Sequence, residues 1–549
     1  MKASHIATWI CIACCQVHAQ YAVVISEATW NDPAWRHVAQ SLKTKHNGSV
    51  FIYAGPPFPA DLKENLSESQ PTHVCFVAIP EEVTVALVRG CHQLLRDLDD
   101  DPYGDAIWGI VTGINADHAA HLVSKHGPVT IRSALLKTAG NYLNYLFSGQ
   151  YHCEGGDPHE LWTRINGGTV IKGFDSESDD TVPFVNLLNS NAVDLFVTSG
   201  HASEYLWQLH HPTIAPEGHF YAVDGRLFGL DAGENSHSIE TTNDKVYWAP
   251  GNCRIAHIPE DESRTRSMVF AWLGSGGAIQ MAGYTVDTWF GYMGWGIADY
   301  FVYLQDRFTF AQSVFLNNQA LLFDQSHDTP NVDPIGLNYD KDVFVLYGDP
   351  AYKATLQKVT EPLYDQFLAF TNVDGVVAYS LTIHMNSAVN IARPIIAYLP
   401  IKIREPRIIQ RSGRLVDVVD DMVLVQVWRF GEQNLQKNQE WHIAFSGIAN
   451  SKPENNHTAD FLEPRWIIDG TEVNRVLAYW RDGAYHRDAT GADGYAPSSG
   501  STNGLRHSAD YQPPYWLIDG AEVSRVLAYW RAGAYHVNPD GVDGFAPGQ

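Results

Sequence analysis

The chain has 549 residues and a formal net charge of −25 at pH 7, and 45% of its residues are hydrophobic. This length exceeds what one hydrophobic core usually organises, so about two to four domains are expected. The acidic balance argues against nucleic acid or an anionic membrane surface as a partner, because both bind clustered Lys and Arg.

The N-terminus is typical of an export signal. Lys2 precedes an apolar stretch from Ile6 to Cys15, and Val17-His18-Ala19 offers small residues before a cleavage point. Residues 1–19 are therefore predicted to be a signal peptide, and the protein is predicted to be secreted or held at the cell surface. No run reaches the roughly 18 uninterrupted apolar residues of a transmembrane helix, so no membrane-spanning segment is expected.

Apolar strands and amphipathic helices alternate from the start of the mature chain. In residues 20–113 the first strand is Tyr21 to Ser26 and the last is Ala106 to Thr112, and residues 114–356 continue the pattern. The clearest strands of this second stretch are Val193 to Thr198, Val246 to Trp248, Ala278 to Ala282 and Val343 to Tyr347. The alternation predicts an α/β fold in which helices flank parallel-rich sheets.

The pattern changes after residue 356. Residues 357–450 hold short β-branched and apolar runs, such as Val376 to Ile383 and Met422 to Trp428, and Gly, Pro and Asn interrupt them. An all-β sandwich is expected here, because no helical period is visible. The polar stretch from Ser451 to Asp460 is expected to be a linker.

An internal duplication fills the C-terminus and divides into residues 451–499 and 500–549. The segment from Trp466 to Arg481 recurs as Trp516 to Arg531. In each copy an Asp occupies an N-cap position with Glu three residues later, and Gly483 or Gly533 follows the apolar stripe. These features predict one capped helix in each copy. The stripe of the first copy is expected to be formed by Val473, Val476, Leu477 and Trp480.

The two helical units resemble those of dockerin-type modules, in which an Ile lies four residues before a helix-entering Glu. The resemblance implies attachment to a cell-surface or scaffold partner; two units that simply pack together are the alternative. Tyr511, Pro513 and Tyr515 stand where a calcium loop needs oxygen ligands, so calcium is not expected there. No cofactor is expected for chemistry, and structural calcium elsewhere stays open, at sites that the sequence does not identify.

Few cysteines remain once the predicted signal is removed: Cys75, Cys91, Cys153 and Cys253. They are too few for a disulfide framework and lack the paired spacing of a zinc site. A single bridge from Cys75 to Cys91 or to Cys153 stays open. An unpaired thiol in an exported protein is a candidate reactive group.

Two segments share one design, an apolar strand that ends in a reactive side chain. One runs from Val193 to His201 and the other from Val246 to Cys253. Carboxyl ends of adjacent strands in an open α/β sheet face one crevice, so these side chains can meet there. A thiol needs a base, usually histidine, and small neighbours such as Gly200, Ala202 and Gly251 let backbone N–H groups approach an oxyanion. Two packed core residues are the alternative.

The motifs around these residues resemble the signatures of the gingipain family, relatives of the caspases. Ser199-Gly-His-Ala-Ser-Glu204 and Gly251-Asn-Cys253 are similar to its Gly-His-Gly-Ser-Glu and Gly-Asn-Cys motifs. Asp101-Pro-Tyr-Gly-Asp105 and Leu346-Tyr-Gly-Asp-Pro350 resemble two outer landmarks of its catalytic domain. The resemblance covers about Tyr21 to Leu356. It implies a two-lobed caspase-like unit followed by an immunoglobulin-like domain.

The resemblance also implies roles for individual residues. Cys253 attacks the scissile carbonyl, His201 handles the proton, and the N–H groups of Ala202 and Cys253 receive the oxyanion. Gly200 and Asn252 are candidate supporting residues beside them. The carboxylate that orients His201 is not assigned: Asp194 and Glu204 are candidates, and each is alternatively structural. No metal ligand is assigned.

The sequence departs from the family in three ways. Ala202 stands where the family has glycine, and an insertion from His211 to Asn243 separates the two motifs. The insertion is expected to be a lid or specificity loop, or else a surface loop without a role. No long pro-segment precedes the α/β region, so activation by its removal is not expected.

These observations favour a secreted or cell-surface cysteine endopeptidase that hydrolyses protein or peptide substrates through Cys253 and His201. The alternative is a catalytically inactive gingipain-like protein that binds or attaches at a surface. A thiol-directed peptidyl inhibitor separates the two, because only an activated thiolate reacts quickly.

Overall fold

The computed structural model describes residues 21–175, 178–327, 329, 332–373, 375–449, 457–462, 466–488, 490–502, 506–538 and 541–548. The predicted signal peptide lies outside these residues. The chain forms two compact units. The first consists of the described residues up to Asp365 with 384–394 and 428–439, and the second of 366–383, 395–427 and the described residues from Glu440 onward.

Strands and helices alternate in the first part of the chain, as predicted. They are β1 (Tyr21–Ser26), α1 (Glu27–Asn31), α2 (Pro33–His46), β2 (Ser49–Tyr53), α3 (Ala60–Ser69), β3 (His73–Val77), α4 (Val85–Arg96) and β4 (Ile107–Val111). Local chemistry sets the helix ends. Asp32 caps α2 through its carboxylate and Pro33 occupies the first turn, while Asn47 ends the helix in a left-handed conformation.

The second part of the chain carries the predicted strand ends. Its elements are α5 (Ala116–Val123), β5 (Val129–Ile131), β6 (Ser133–Lys137), β7 (Ser148–His152), β8 (Glu160–Arg164), β9 (Ile171–Phe174), α6 (Thr181–Asn189), β10 (Leu195–Gly200), β11 (Leu206–Gln208), β12 (His219–Val223), β13 (Arg226–Leu230), β14 (Ser236–Ile239), β15 (Lys245–Asn252), α7 (Met268–Leu273), β16 (Ala278–Tyr284), α8 (Tyr292–Trp295), α9 (Ile297–Phe301), α10 (Phe310–Ser326), α11 (Pro334–Asp340), β17 (Phe344–Tyr347) and β18 (Ala354–Leu356). Short 3₁₀ helices lie at Pro80–Glu82, Leu143–Tyr145 and Glu262–Arg266.

One large sheet runs through both parts. Among the described residues its strand order is β2-β1-β3-β4-β17-β16-β15-β10-β6-β7-β8-β9. Strands β1 to β4 are mutually parallel, and β6, β7, β10, β15 and β16 form a second parallel set. The prediction of an α/β fold with helices around parallel-rich strands is confirmed, but the two predicted lobes share one sheet. β17 joins them, antiparallel to β16 and parallel to β4.

The centre of this sheet is buried on both faces, as expected for parallel strands covered by helices. β16 is buried throughout, β10 is buried except at Gly200, and β15 is buried except at Gly251. Both glycines lie near the carboxyl ends of their strands. The core therefore holds these strands in place, and His201, directly after β10, is exposed.

The insertion between the two motifs is mostly a second sheet. The insertion supplies β12 to β14, which join β11 in a four-stranded antiparallel sheet and pack against α6 and α7. Phe220, Leu227 and Ile239 from these strands join the main core. Residues 211–218 form the longest segment outside these strands, so much of the predicted lid or surface loop is a packed part of the fold.

The second unit contains most of the β-rich stretch. Its strands are β19 (Tyr364–Val373), β20 (Val376–Met385), β21 (Ile395–Tyr398), β22 (Ile403–Arg411), β23 (Leu415–Val418), β24 (Met422–Gln426) and β25 (Glu440–Ala449). Within the described residues they form a four-stranded sheet, β19-β20-β25-β22, and a three-stranded sheet, β21-β24-β23. β20 and β25 alternate buried and exposed side chains, the pattern of strands with one covered face.

The C-terminal copies have matching elements. They are α12 (Gly470–Asp482), β26 (Tyr485–Arg487) and β27 (Tyr495–Pro497), then α13 (Gly520–Ala532), β28 (Tyr535–Val537) and β29 (Phe545–Pro547). Both predicted capping boxes form, and Gly483 and Gly533 end the helices in left-handed conformations. The predicted stripe is wrong at Trp480, which is 47% exposed, whereas Tyr479 is buried. The dockerin resemblance stays a prediction.

The two copies share one core. His457, which precedes the first helix, packs against Tyr529 and Phe545 of the second copy. His507 makes the equivalent contacts with Tyr479 and Tyr495 of the first copy. Each copy therefore completes the other. In the described part of the chain, no helix is both long and apolar enough to cross a membrane.

Candidate active site

His201 and Cys253 follow directly on two paired strand ends. β10 and β15 are adjacent and parallel, and Gly200 pairs with Asn252 at the end of the ladder. The next residue on each strand is His201 or Cys253. Because the carboxyl ends of parallel strands lie at the same edge of a sheet, the register brings both residues to that edge.

Asn252 ties these strand ends together. It is fully buried, its Nδ2 donates to the Gly200 carbonyl at 3.1 Å, and its Oδ1 accepts from the Thr198 hydroxyl at 2.8 Å. One side chain thus bonds to two positions on the opposite strand. It fixes the backbone immediately before both His201 and Cys253.

The Cys253 thiol is half-buried and unoxidised. Its sulfur accepts a hydrogen bond from the Thr288 N–H at 3.2 Å and lies 3.9 Å from the Thr288 carbonyl oxygen. Arg254, the next residue, has φ of +54° and donates its N–H to Val286 at 2.9 Å. The sulfur is thus held against the loop after β16, and its bonding partner in the described chain is Thr288 and not His201.

The other described thiols have different surroundings. Cys75 and Cys91 are buried, and this burial raises the pKa of both thiols. Cys153 is half-buried, and all four cysteines of the described chain are free, so neither bridge that the sequence left open has formed. Burial keeps Cys75 and Cys91 protonated and away from any substrate.

A carboxylate that sequence reasoning missed, Glu154, lies beside Gly200. An ideal Cβ at Gly200, where φ is +90°, would lie 3.3 Å from Glu154 Oε2. The Ser199 hydroxyl donates to the same oxygen and also contacts Thr138 Oγ1 at 3.0 Å. Burial raises the pKa of Glu154, and the Ser199 hydrogen bond and the charges of Lys137 and the nearby histidines oppose this rise.

The histidines near this carboxylate are His201 and His211. Their ring centroids are 4.6 Å apart with planes inclined by 54°. His201 is exposed, whereas His211 is half-buried. Glu154 interacts electrostatically with both rings. Sequence reasoning placed His211 only at the start of the insertion and gave it no role.

The proposed oxyanion donors lie next to these residues. Ala202 faces Trp207 in an isolated antiparallel bridge, and the hydrogen bonds of that bridge come from neighbouring residues and not from the Ala202 N–H. A tight turn follows Ala202, because the Ser203 N–H donates to Leu206 and the Gln208 N–H donates to the His201 carbonyl. The small side chain of Ala202 leaves its N–H approachable.

The two carboxylates suggested from sequence lie elsewhere. Asp194 accepts from the Arg132 and Ser133 N–H groups at 2.9 and 3.0 Å, at the opposite end of β10 from His201. Glu204 is buried and pairs with Arg254 at 2.9 Å. Asp194 thus joins strands, and Glu204 links the turn after His201 to the residue after Cys253. In the part of the chain that the structure describes, these carboxylates bond to other groups and not to the His201 ring.

A buried ion cluster lies behind Glu154. Lys137 Nζ is 2.6 Å from Asp180 Oδ2 and 2.8 Å from Glu217 Oε1, and His152 Nδ1 is 3.0 Å from Asp180 Oδ2. Lys137 and the two carboxylates are fully enclosed. Glu217 belongs to the same 211–218 loop as His211. The cluster therefore anchors this loop to the end of β6.

The loop that contacts the thiol through Thr288 also carries an exposed aromatic side chain. Trp289 follows Thr288 and is 58% exposed. Its ring packs on Tyr339 at a centroid distance of 5.8 Å, and the Tyr339 hydroxyl donates to the Asp287 carbonyl at 2.9 Å. The loop after β16 thus presents an apolar surface beside Cys253.

Comparison with known proteins gives remote similarities of structure. No protein-family model matches the chain, and no curated protein matches it. The crystal structure of the Arg-specific cysteine proteinase gingipain R is similar with a TM-score of 0.38 and 12% identity, over 80% of this chain and 94% of that one. A second structure, described as a protease, is similar with a TM-score of 0.33 and 10% identity, over 79% of this chain and 95% of that one.

Proposed function

We propose that this chain is an exported cysteine endopeptidase in which Cys253 is the nucleophile and His201 is the general base. The observation that carries the proposal is the register of β10 and β15, in which Gly200 pairs with Asn252 and the next residue on each strand is the base or the thiol. The Thr288 N–H directed at Sγ supports the same role, because a thiolate accepts such a bond better than a thiol.

The chemistry follows the usual acyl-transfer sequence. His201 takes the thiol proton as Sγ attacks the scissile carbonyl carbon, and the N–H groups of Ala202 and Cys253 stabilise the oxyanion. When the C–N bond breaks, His201 gives the proton to the leaving amine and an acyl-enzyme remains. A water molecule, deprotonated by His201, then attacks the thioester, which releases the carboxylic acid and restores the thiol.

Other residues hold these groups in place. Asn252 fixes both strand ends, and Glu154 places a carboxyl group near the imidazole that becomes positive during the reaction. Trp289 offers an apolar surface for a substrate side chain. Protein or peptide substrates are proposed, and the C-terminal copies are proposed to act together as one attachment module, because they share a core.

Peptide hydrolysis by purified variants tests the assignment. Cys253→Ala should abolish hydrolysis, and His201→Ala should lower kcat by about 10²- to 10⁴-fold, the range typical of general-base loss. The matched control is Cys75→Ala, which removes a buried thiol outside the site and should leave the folded enzyme active. Circular dichroism should show that all three variants fold.

The rate of labelling separates an active enzyme from a binding protein with the same fold. A peptidyl chloromethyl ketone should label wild-type Cys253 quickly, and the rate should fall in His201→Ala. Slow labelling in both proteins would favour the binding protein. Hydrolysis that survives Cys253→Ala but is lost in Cys75→Ala would show that the nucleophile is misassigned.

A further inference from the structure

The His201 ring packs against a second imidazole. Its centroid lies 4.6 Å from that of His211, and the two planes are inclined by 54°. His201 itself is exposed. An exposed histidine samples several rotamers, and fixing one of them costs conformational entropy. A neighbouring ring that is already held in place reduces this freedom.

His211 is held by its backbone and by close packing. Its N–H donates to the Glu154 carbonyl at 2.8 Å. An ideal Cβ at Gly200 would lie 3.5 Å from the His211 Cβ and 3.3 Å from Glu154 Oε2, so the missing side chain at Gly200 leaves room for both neighbours. The loop that carries His211 is anchored further on by the ion pair of Glu217 with Lys137.

Ring packing, and not a polar bond, links the two histidines. His211 Nδ1 is buried and has no hydrogen-bond partner among the described residues. The Glu154 carboxyl group interacts electrostatically with both rings, and Lys137 interacts with Glu154. The His211 ring is therefore suited to limiting where the His201 ring can go.

We propose that His211 is a positioning residue, which holds the His201 imidazole in the rotamer that serves Cys253; this inference rests on the proposed peptidase function. A general base is effective only when it is held within hydrogen-bond reach of its proton donor. The insertion thus contributes to catalysis through one ring at its start, while its strands belong to the core.

Three variants test the proposal. His211→Ala removes the ring and should lower kcat about 10-fold with KM within about twofold, because the substrate still binds and the base is less often in place. His211→Phe keeps an aromatic ring and should restore kcat to within about threefold of wild type. The matched control is His210→Ala, since the His210 ring contacts the Thr213 carbonyl instead. It should leave both constants unchanged.

Alkylation of Cys253 by iodoacetamide gives a second readout that does not need turnover. The rate should fall in His211→Ala and recover in His211→Phe. Wild-type kcat in His211→Ala would overturn the proposal, and so would an equal loss in His211→Phe and His211→Ala, which would mean that His211 acts through its nitrogens. If His201→Ala slows alkylation and His211→Ala does not, only this proposal fails. If neither slows it, the proposed function fails as well.

Discussion

Replacing Glu217 by Gln should change how the stability of the first unit depends on pH. Glu217 is 2% exposed. Burial raises its pKa to about 8; the charge of Lys137 opposes this rise and the neighbouring Asp180 adds to it. For Asp180, burial also opposes ionisation, but the bond from His152 and the charge of Lys137 outweigh it and hold the pKa of Asp180 well below its usual range. The pair therefore shares one proton at neutral pH.

The direction of this pH dependence follows from the number of protons that the folded and the unfolded chain bind. The unfolded chain loses the Glu217 proton near pH 4.3, whereas the folded protein keeps it to about pH 8. Between these values the folded state binds more protons, so the free energy of unfolding falls as pH rises, by up to about 1.4 kcal/mol per pH unit. The stabilisation by the Glu217 proton is complete below the pKa of Glu217 in the unfolded chain, and it is lost as the pH rises through the pKa of Glu217 in the folded protein. Asp180 titrates at lower pH and does not contribute in this window.

Urea unfolding at pH 5, 6, 7 and 8 measures this effect as the difference between wild type and Glu217→Gln. The amide stays neutral at every pH, so wild type should lose stability relative to the variant, by about 2–4 kcal/mol from pH 5 to pH 8. The control is Glu361→Gln, at a side chain that is 74% exposed, which should give a constant difference. A constant difference for Glu217→Gln as well would show that Glu217 is ionised throughout and would refute the reasoning.

Two further variants probe the strand ends. Gly200→Ala should lower the free energy of unfolding by about 1–3 kcal/mol, because alanine is strained at φ of +90° and its Cβ would crowd Glu154. It should also slow the alkylation of Cys253. An unchanged alkylation rate would show that His201 does not depend on this close packing. Asn252→Ala should lower the free energy of unfolding by about 1–3 kcal/mol in urea titrations, because the Gly200 carbonyl loses its bond from Asn252 and the buried Thr198 hydroxyl keeps only its bond with Tyr247. A loss below about 0.5 kcal/mol would contradict that account.

The strands that carry the proposed dyad could be predicted because each is an uninterrupted apolar run that ends in a small residue. β10 and β15 are buried almost throughout, so their sequences carry the signal of central parallel strands. Glu154 gave no such signal. It follows β7, a strand of Ser, Gly, Gln, Tyr and His, and it reaches Gly200 only because β7 pairs with β6 and β6 with β10. This placement depends on contacts between distant segments, which periodicity does not report.

The sequence of the insertion contains a hairpin signal that argues against the predicted lid. Asp224 and Gly225 have φ of +47° and +71° between two strands that pair in register from Val223 and Arg226. An Asp-Gly pair between alternating apolar residues is a strong hairpin signature. It identifies β12 and β13 as a hairpin and argues against a mobile lid. At Trp480 the helical stripe was misjudged by one position, because Tyr479 and not Trp480 faces the partner copy.

The direction of the strands explains why only half of the sheet can supply the proposed dyad. β17 is antiparallel to β16 and parallel to β4, so the carboxyl ends of β1, β3 and β4 lie at the edge opposite to those of β10 and β15. The outer landmarks of the family resemblance accordingly have structural contacts. Asp349 accepts from the Tyr21 hydroxyl at 2.9 Å and pairs with Lys45 at 3.0 Å and His46 at 2.7 Å. Burial opposes its ionisation, but the bonds and charges of His46 and Lys45 outweigh this and hold the pKa of Asp349 well below its usual range. The Gly-Asp-Pro landmark therefore joins the two halves of the sheet, and the proposed dyad lies at the opposite edge, at the ends of β10 and β15.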